Sequence, residues 1–186
     1  MSKPTIFVIS GSTAARSSNR AVVEIIRQNF ADLADFDVCE GVDLLPHFRP
    51  DADQAALPQN VLDFRRRIEA ADGVLFCTPE YVFSLPGSLK NAIDWTVSTT
   101  VFYNKAIGIV VAAASGEKAM ESLMLILTTI EARVEASATL IVKGAKGKID
   151  QKGALSDPPT ADALHRMMLA FLELVHRENP TPTKYA

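Results

Sequence analysis

Two loops hold the residues whose types and spacing could do chemistry. The first, Gly11-Ser12-Thr13-Ala14-Ala15-Arg16-Ser17-Ser18-Asn19-Arg20, joins an apolar run to a helix that begins near Ser18. Small side chains, hydroxyls, backbone N–H groups and the positive end of a helix dipole are what a phosphate monoester needs. Arg16 and Arg20 can add charge. The second loop opens the stretch Thr78-Pro79-Glu80-Tyr81-Val82-Phe83-Ser84-Leu85-Pro86-Gly87-Ser88-Leu89-Lys90-Asn91-Ala92-Ile93-Asp94-Trp95, after the apolar run Gly73-Val74-Leu75-Phe76-Cys77. Tyr81, Phe83 and Leu85 can build a flat apolar floor. An irregular, aromatic-bearing loop between a strand end and a helix start is where ligands bind in open α/β sheets.

What the first loop lacks narrows the chemistry. It has no Gly-Lys-Ser/Thr ending, so it is not a P-loop, and no Gly-x-Gly-x-x-Gly, so the dinucleotide fingerprint is absent. It has no cysteine, which removes the nucleophile of a small tyrosine phosphatase. No acids cluster at the strand ends as a phosphate-receiving response regulator requires. Without a ligand, the loop would read as a Ser-rich helix cap.

The elements that must position these loops alternate. Apolar runs predict strands at about Thr5–Ser10, Phe36–Glu40, Gly73–Thr78, Ala106–Ala113 and Ala138–Val142. Between and after them, helical spacing links Val22, Ile25, Ile26 and Phe30; Leu57, Val61, Phe64 and Ile68; the residues after Gly87; Glu117–Ala132; and Leu164, Met167, Met168, Phe171 and Val175. Such alternation predicts a three-layer α/β fold, a doubly wound five-stranded parallel sheet of flavodoxin-like order 2-1-3-4-5. No boundary interrupts residues 1–186, which read as one domain. Gly144–Thr160 reads as a surface loop, Asp157-Pro158 as a helix start, and Asn179-Pro180-Thr181-Pro182 as a loose tail. The fourth helix carries Leu123-Met124-Leu125-Ile126-Leu127, apolar on every side, which favours a subunit interface.

With 186 residues, 48% hydrophobic content and a formal charge of −3 spread along the chain, the composition is globular and gives no electrostatic case for nucleic acid or an anionic membrane. No apolar run reaches the ~20 residues a membrane span needs, and the first residues lack the apolar region of a signal peptide, so a cytoplasmic location is expected. Cys39 and Cys77 each sit in an apolar strand and read as buried core thiols. His47 reads as a surface residue, and His165 and His176 are too far apart along the last helix to ligate one metal; no metal site is expected.

Taken together, the two loops closely resemble the NADPH-dependent FMN reductase family, which includes chromate and quinone reductases and some azoreductases. Its first motif reads roughly Gly-Ser-Leu-Arg-x-x-Ser-x-Asn and its second Pro-Glu-Tyr-Asn-x-Ser-x-Pro-Gly-x-Leu-Lys-Asn-Ala-x-Asp-Trp. The resemblance implies FMN as cofactor and NADPH or NADH as co-substrate. Hydride would pass via flavin N5 to a small-molecule acceptor: a quinone, a metal oxyanion, an azo compound or free flavin. It places Ser12, Ser17 and Asn19 on the FMN phosphate, with Arg16 and Ser18 beside them. Pro79, Glu80, Tyr81, Val82, Phe83 and Ser84 would face the isoalloxazine, and Ser115 and Gly116 its other edge. No side-chain catalytic base is implied. A homodimer or homotetramer is expected. The chain departs from the motifs at Ala14, where the family has arginine, at Val82, where it has asparagine, and in a third loop, Ala114-Ser115-Gly116-Glu117, with a single glycine. A flavodoxin-like electron carrier, against which the small net charge argues, and a flavin-free binding or regulatory relative are the alternatives.

Overall fold

The computed structural model describes residues 2–14, 17–39, 41–150 and 152–177. Its elements run β1 (Thr5–Ser10), α1 (Ser18–Asn29), β2 (Asp35–Cys39), 3₁₀ turns at Val42–Leu44 and Gln54–Ala56, α2 (Gln59–Ala70), β3 (Gly73–Thr78), α3 (Gly87–Asp94), β4 (Ala106–Ala113), α4 (Glu117–Thr129), β5 (Arg133–Lys143), α5 (Ala145–Lys148) and α6 (Pro158–His176). The sheet has the order β2-β1-β3-β4-β5 and every pairing is parallel. This is the expected doubly wound, flavodoxin-like fold.

Parallel strands covered on both faces read as continuous apolar runs, and all of β3 is buried. Alternate residues feed two cores. Phe7, Ile9, Val74, Phe76, Ile107 and Ile109 pack with α2, α3 and α4. Ile6, Val8, Leu75, Cys77 and Val110 pack with α1 and α6. Trp95 belongs to the first core: it is 2% exposed, its Nε1–H donates to the Pro46 carbonyl at 2.7 Å, and its ring meets Phe48 edge-on at 5.3 Å.

Several elements differ from expectation: β2 begins one residue early at Asp35, and α2 begins at Gln59, after Leu57. Strand β5 starts at Arg133, because its first half is polar and small and gives no apolar signal. Pairing there slips between Ile107↔Val134 and Ile109↔Thr139, so the intervening β5 residues bulge from the edge. Helix α4 stops at Thr129: the Thr128 and Thr129 hydroxyls donate back to the Met124 and Leu125 carbonyls, and Glu131 turns the chain at φ +58°. The predicted loop after β5 contains the short helix α5. Glu40, the expected last residue of β2, and the tail at 179–182 lie outside the described residues.

The apolar turn of α4 is not sealed all round. Ala119, Leu123 and Leu127 are buried, whereas Leu125 is 71% exposed.

Two glycines fix how closely α6 approaches the sheet. A Cβ on Gly108 would lie 2.9 Å from Cγ of Phe171 and 3.0 Å from Cδ1 of Leu75; one on Gly73 would lie 2.6 Å from Cγ2 of Val175. Gly108→Ala is therefore expected to destabilise the fold by about 1–3 kcal/mol through overpacking, seen as a lower urea midpoint with an unchanged slope.

Candidate functional site

The central strands β1, β3 and β4 end side by side, and the loop after each carries one part of the site. The first two loops begin in contact. Gly11 N–H donates to the Cys77 carbonyl at 2.9 Å, and a Cβ on Gly11 would fall 2.4 Å from Oγ1 of Thr78. Only glycine lets these loops lie so close.

In the first loop, Ser17 is the N-cap of α1, its hydroxyl accepting from Arg20 N–H at 3.2 Å. Ser12 and Ser18 are half-buried beside it, while Thr13 and Ala14 are exposed. Helix geometry leaves the Ser18 and Asn19 N–H groups without intrahelical acceptors. The Asn19 side chain, however, turns inward. It is 3% exposed and donates to the Ala112 carbonyl at 3.0 Å, and the Cys77 thiol donates to its oxygens at 3.5 Å. Its amide thus braces α1 against β3 and β4; what it offers a ligand is its backbone N–H. Helical spacing to Val22, Val23 and Ile26 already put Asn19 on the buried face. Arg16 lies outside the described residues.

In the second loop, Glu80 does not project towards the loop's open side. Its Oε2 accepts from Lys118 N–H at 2.9 Å and Ala119 N–H at 3.0 Å. Those are first-turn donors of α4, whose N-cap, Gly116, has no side chain to satisfy them. Glu80 therefore caps a helix 38 residues further on. Next, Tyr81 and Ser84 exchange backbone hydrogen bonds of 3.0 Å each around Val82 and Phe83. Those two central residues sit at φ +50° and +56°, the signature of a type I′ turn. Val82 is 96% exposed, Phe83 76% and Tyr81 48%, whereas Leu85 is buried. Pro79 is buried and Ser84 exposed.

Behind this turn, α3 is locked in place. Asn91 accepts from Phe48 N–H at 2.8 Å and donates to the Pro46 carbonyl at 3.0 Å, the oxygen that also receives the Trp95 indole. Lys90 pairs with Asp94 at 2.6 Å. The Lys-Asn-x-x-Asp-Trp pattern here holds the loop from behind.

In the third loop, Gly116 has φ +106° and a Cβ there would lie 2.8 Å from Cγ2 of Ile141. Ser115 Oγ donates to Glu117 at 2.5 Å, and Glu117 also pairs with Lys143. The Lys143 ammonium, then the Ser115 hydroxyl, hold the Glu117 carboxyl down from 4.5 to about 2. On the opposite side, burial pushes the Cys77 thiol up to about 12, so it stays protonated.

A cavity of about 680 Å³ opens next to the first loop. It shares Ser12, Thr13 and Ala14 with that loop, but none of its lining residues comes from the second or third loop.

A loop suited to phosphate, an apolar turn and a glycine turn, at the carboxyl ends of three parallel strands, define a flavodoxin-like nucleotide-cofactor domain. Residues 4–147 match the family model for NADPH-dependent FMN reductase. The chain belongs to that family and is an oxidoreductase of the NAD(P)H-dependent, FMN-using type. It is similar to the NADH-dependent flavin reductase subunit 2 of Lactobacillus johnsonii, 30% identical with 91% of this chain and 95% of the relative covered. It is also similar to the quinone reductase of Escherichia coli (strain K12), at 26% identity over 94% and 97% of the two chains. Among solved structures, FerB, a flavoenzyme NAD(P)H:(acceptor) oxidoreductase from Paracoccus denitrificans, superposes with a TM-score of 0.81 at 26% identity, covering 92% of this chain and 97% of that one.

Two outcomes are expected of these loops. A β-branched residue in the left-handed region is strained, so Val82→Asn should raise stability by ~1 kcal/mol in urea unfolding. The Glu117 carboxyl has its folded value depressed, so the stability it contributes is present above pH 4.5 and is lost as pH falls towards about 2. Over that window the melting temperature of Glu117→Gln should fall less than that of the natural chain.

Proposed function

We propose that FMN binds across the three loops, its phosphate on the first and its ring between the second and third. The contact of Gly11 with Thr78, where any Cβ would collide, carries this reading, because it sets a phosphate-suited loop directly against the aromatic turn. The residues fit the group. Ser12 and Ser17 supply hydroxyls, and the Ser18 and Asn19 backbone N–H groups and the dipole of α1 supply the positive end an anion needs. Arg16 is the proposed added charge. Pro79, Tyr81, Val82, Phe83 and Ser84 form the ring-side wall, with Ser115 and Gly116 at the other edge and Glu80 holding the two together. When bound, FMN supplies the two-electron chemistry, accepting hydride at N5 from reduced nicotinamide and delivering electrons to the acceptor.

The chain's own part is to position and to exclude. The exposed Val82–Phe83 turn and Tyr81 offer an apolar surface against which a flat acceptor stacks in place of water. That surface, and the relatives named as quinone reductases, favour a quinone; metal oxyanions, azo compounds and free flavin remain in the proposed range. Self-association into a dimer or tetramer would cover the exposed Leu125 of α4. No helix among the described residues is long and apolar enough to cross a membrane. Two free, buried cysteines suit a reducing cytoplasm.

The purified chain is expected to be yellow, or to turn yellow with FMN, and to bleach with NADPH or NADH without oxygen; no colour in excess FMN would sink the proposal. Ser12→Ala combined with Ser17→Ala should weaken FMN in a fluorescence titration by roughly tenfold or more, the worth of lost hydrogen bonds to a charged group. Asn19→Ala should instead lower stability.

A further inference from the structure

Helix α4 begins directly after Ser115 and Gly116, the residues proposed for the far edge of the flavin ring. The start of such a helix carries about half a positive charge and several N–H groups without acceptors. Left open towards a ring, it would favour the negative charge that reduction brings, as an oxyanion hole does. In this chain it is not open. The Glu80 carboxylate accepts from Lys118 N–H at 2.9 Å and from Ala119 N–H at 3.0 Å. Resting on the flavin reading, we propose that Glu80 sets the reduction balance of the site. Its charge over the α4 start holds bound FMN towards the oxidised form and so makes the loaded, reduced protein a stronger donor to its acceptor.

The charges around the α4 start argue for it. Glu117 is matched by Lys143, and Glu121 by Lys118 at 2.7 Å. Both pairs stand well out in solvent, where their fields are screened. Glu80 differs on both counts. It is half-buried, and among the described residues its carboxylate meets backbone N–H groups and no cation. Half a helix charge against a full carboxylate leaves a net negative charge. That charge lies within the proposed ring-side wall, because Pro79 before it and Tyr81 after it both belong to that wall. Buried Pro79 and Leu85 exclude water beside it, which strengthens its field.

Glu80→Gln tests this, since an amide oxygen still accepts from both N–H groups while the charge is gone. FMN-loaded full-length protein is equilibrated without oxygen against a redox dye of known potential, and the ratio of oxidised to reduced flavin is read by absorbance. Glu80→Gln is expected to shift that equilibrium roughly tenfold towards reduced flavin, which is about 30 mV for a two-electron couple. Glu121→Gln removes the same unit charge from the exposed side of α4 and should shift it less than about twofold. A carboxylate that only caps the helix would leave Glu80→Gln at the natural balance. That result, or equal shifts in the two variants, overturns the proposal. If Glu80→Gln does not fold, the natural chain decides: reduction of bound FMN must be less favourable than reduction of free FMN against the same dye, and the reverse overturns the proposal. Failure of the natural chain to bind FMN would overturn the flavin reading itself, whereas normal binding with an unshifted balance overturns only the role given to Glu80.

Discussion

The hydrogen bonds from the start of α4 to the Glu80 carboxylate are the interaction on which the site depends. A helix leaves its first N–H groups unsatisfied, and they must find acceptors if the end is to be ordered. Gly116 has no side chain to offer, since the backbone there needs φ +106° and the space a Cβ would fill is taken by Ile141 and Val111. The acceptor comes from the loop after β3. One carboxylate thereby satisfies two donors, places its negative charge at the positive end of the α4 dipole, and makes the second and third loops one body.

This clamp allows the neighbouring turn to be strained. Val82 and Phe83 both have positive φ, a conformation that costs of order 1–3 kcal/mol per residue and persists only where the surroundings over-determine it. They are over-determined here. Pro79 and Leu85 are buried on either side, Glu80 is fixed to α4, and Asn91 and Trp95 tie α3 to the Pro46 carbonyl. The exposed apolar tip is the outcome of those anchors. The family's asparagine at this position has a plain physical reading, since asparagine tolerates the left-handed region that valine resists.

Most of the fold was legible because each element carries its own period. Strands β1, β3 and β4 are buried apolar runs whose ends coincide with the prediction. Strand β5 was half legible, because its polar first half bulges from the sheet edge and a bulge leaves no periodic trace. In the site, the loops and their order along the chain could be read, since strand–loop–helix transitions are local. The directions of Asn19 and Glu80 could not. Asn19 satisfies a carbonyl 93 residues away, and Glu80 caps a helix from another βα unit. Contacts of that range have no signature in spacing. For Asn19 the buried helical face was a usable clue, outweighed by its place in a phosphate-binding motif.

The ionisable groups around the loops say what kind of work the protein does there. Glu80 is committed to backbone donors. Glu117 is held ionised by Lys143 and Ser115 down to about pH 2. Cys77 is kept protonated by burial up to about pH 12. Neither Glu117 nor Cys77 changes charge near neutral pH, where a side chain acting as general acid or base would have to be poised. Their hydrogen bonds and ion pairs serve geometry: ordering the start of α4, closing the third loop and packing α1 onto the sheet. Such a site suits chemistry supplied by a bound cofactor, for which the polypeptide must provide fixed walls, an anion-holding helix start and an open apolar edge.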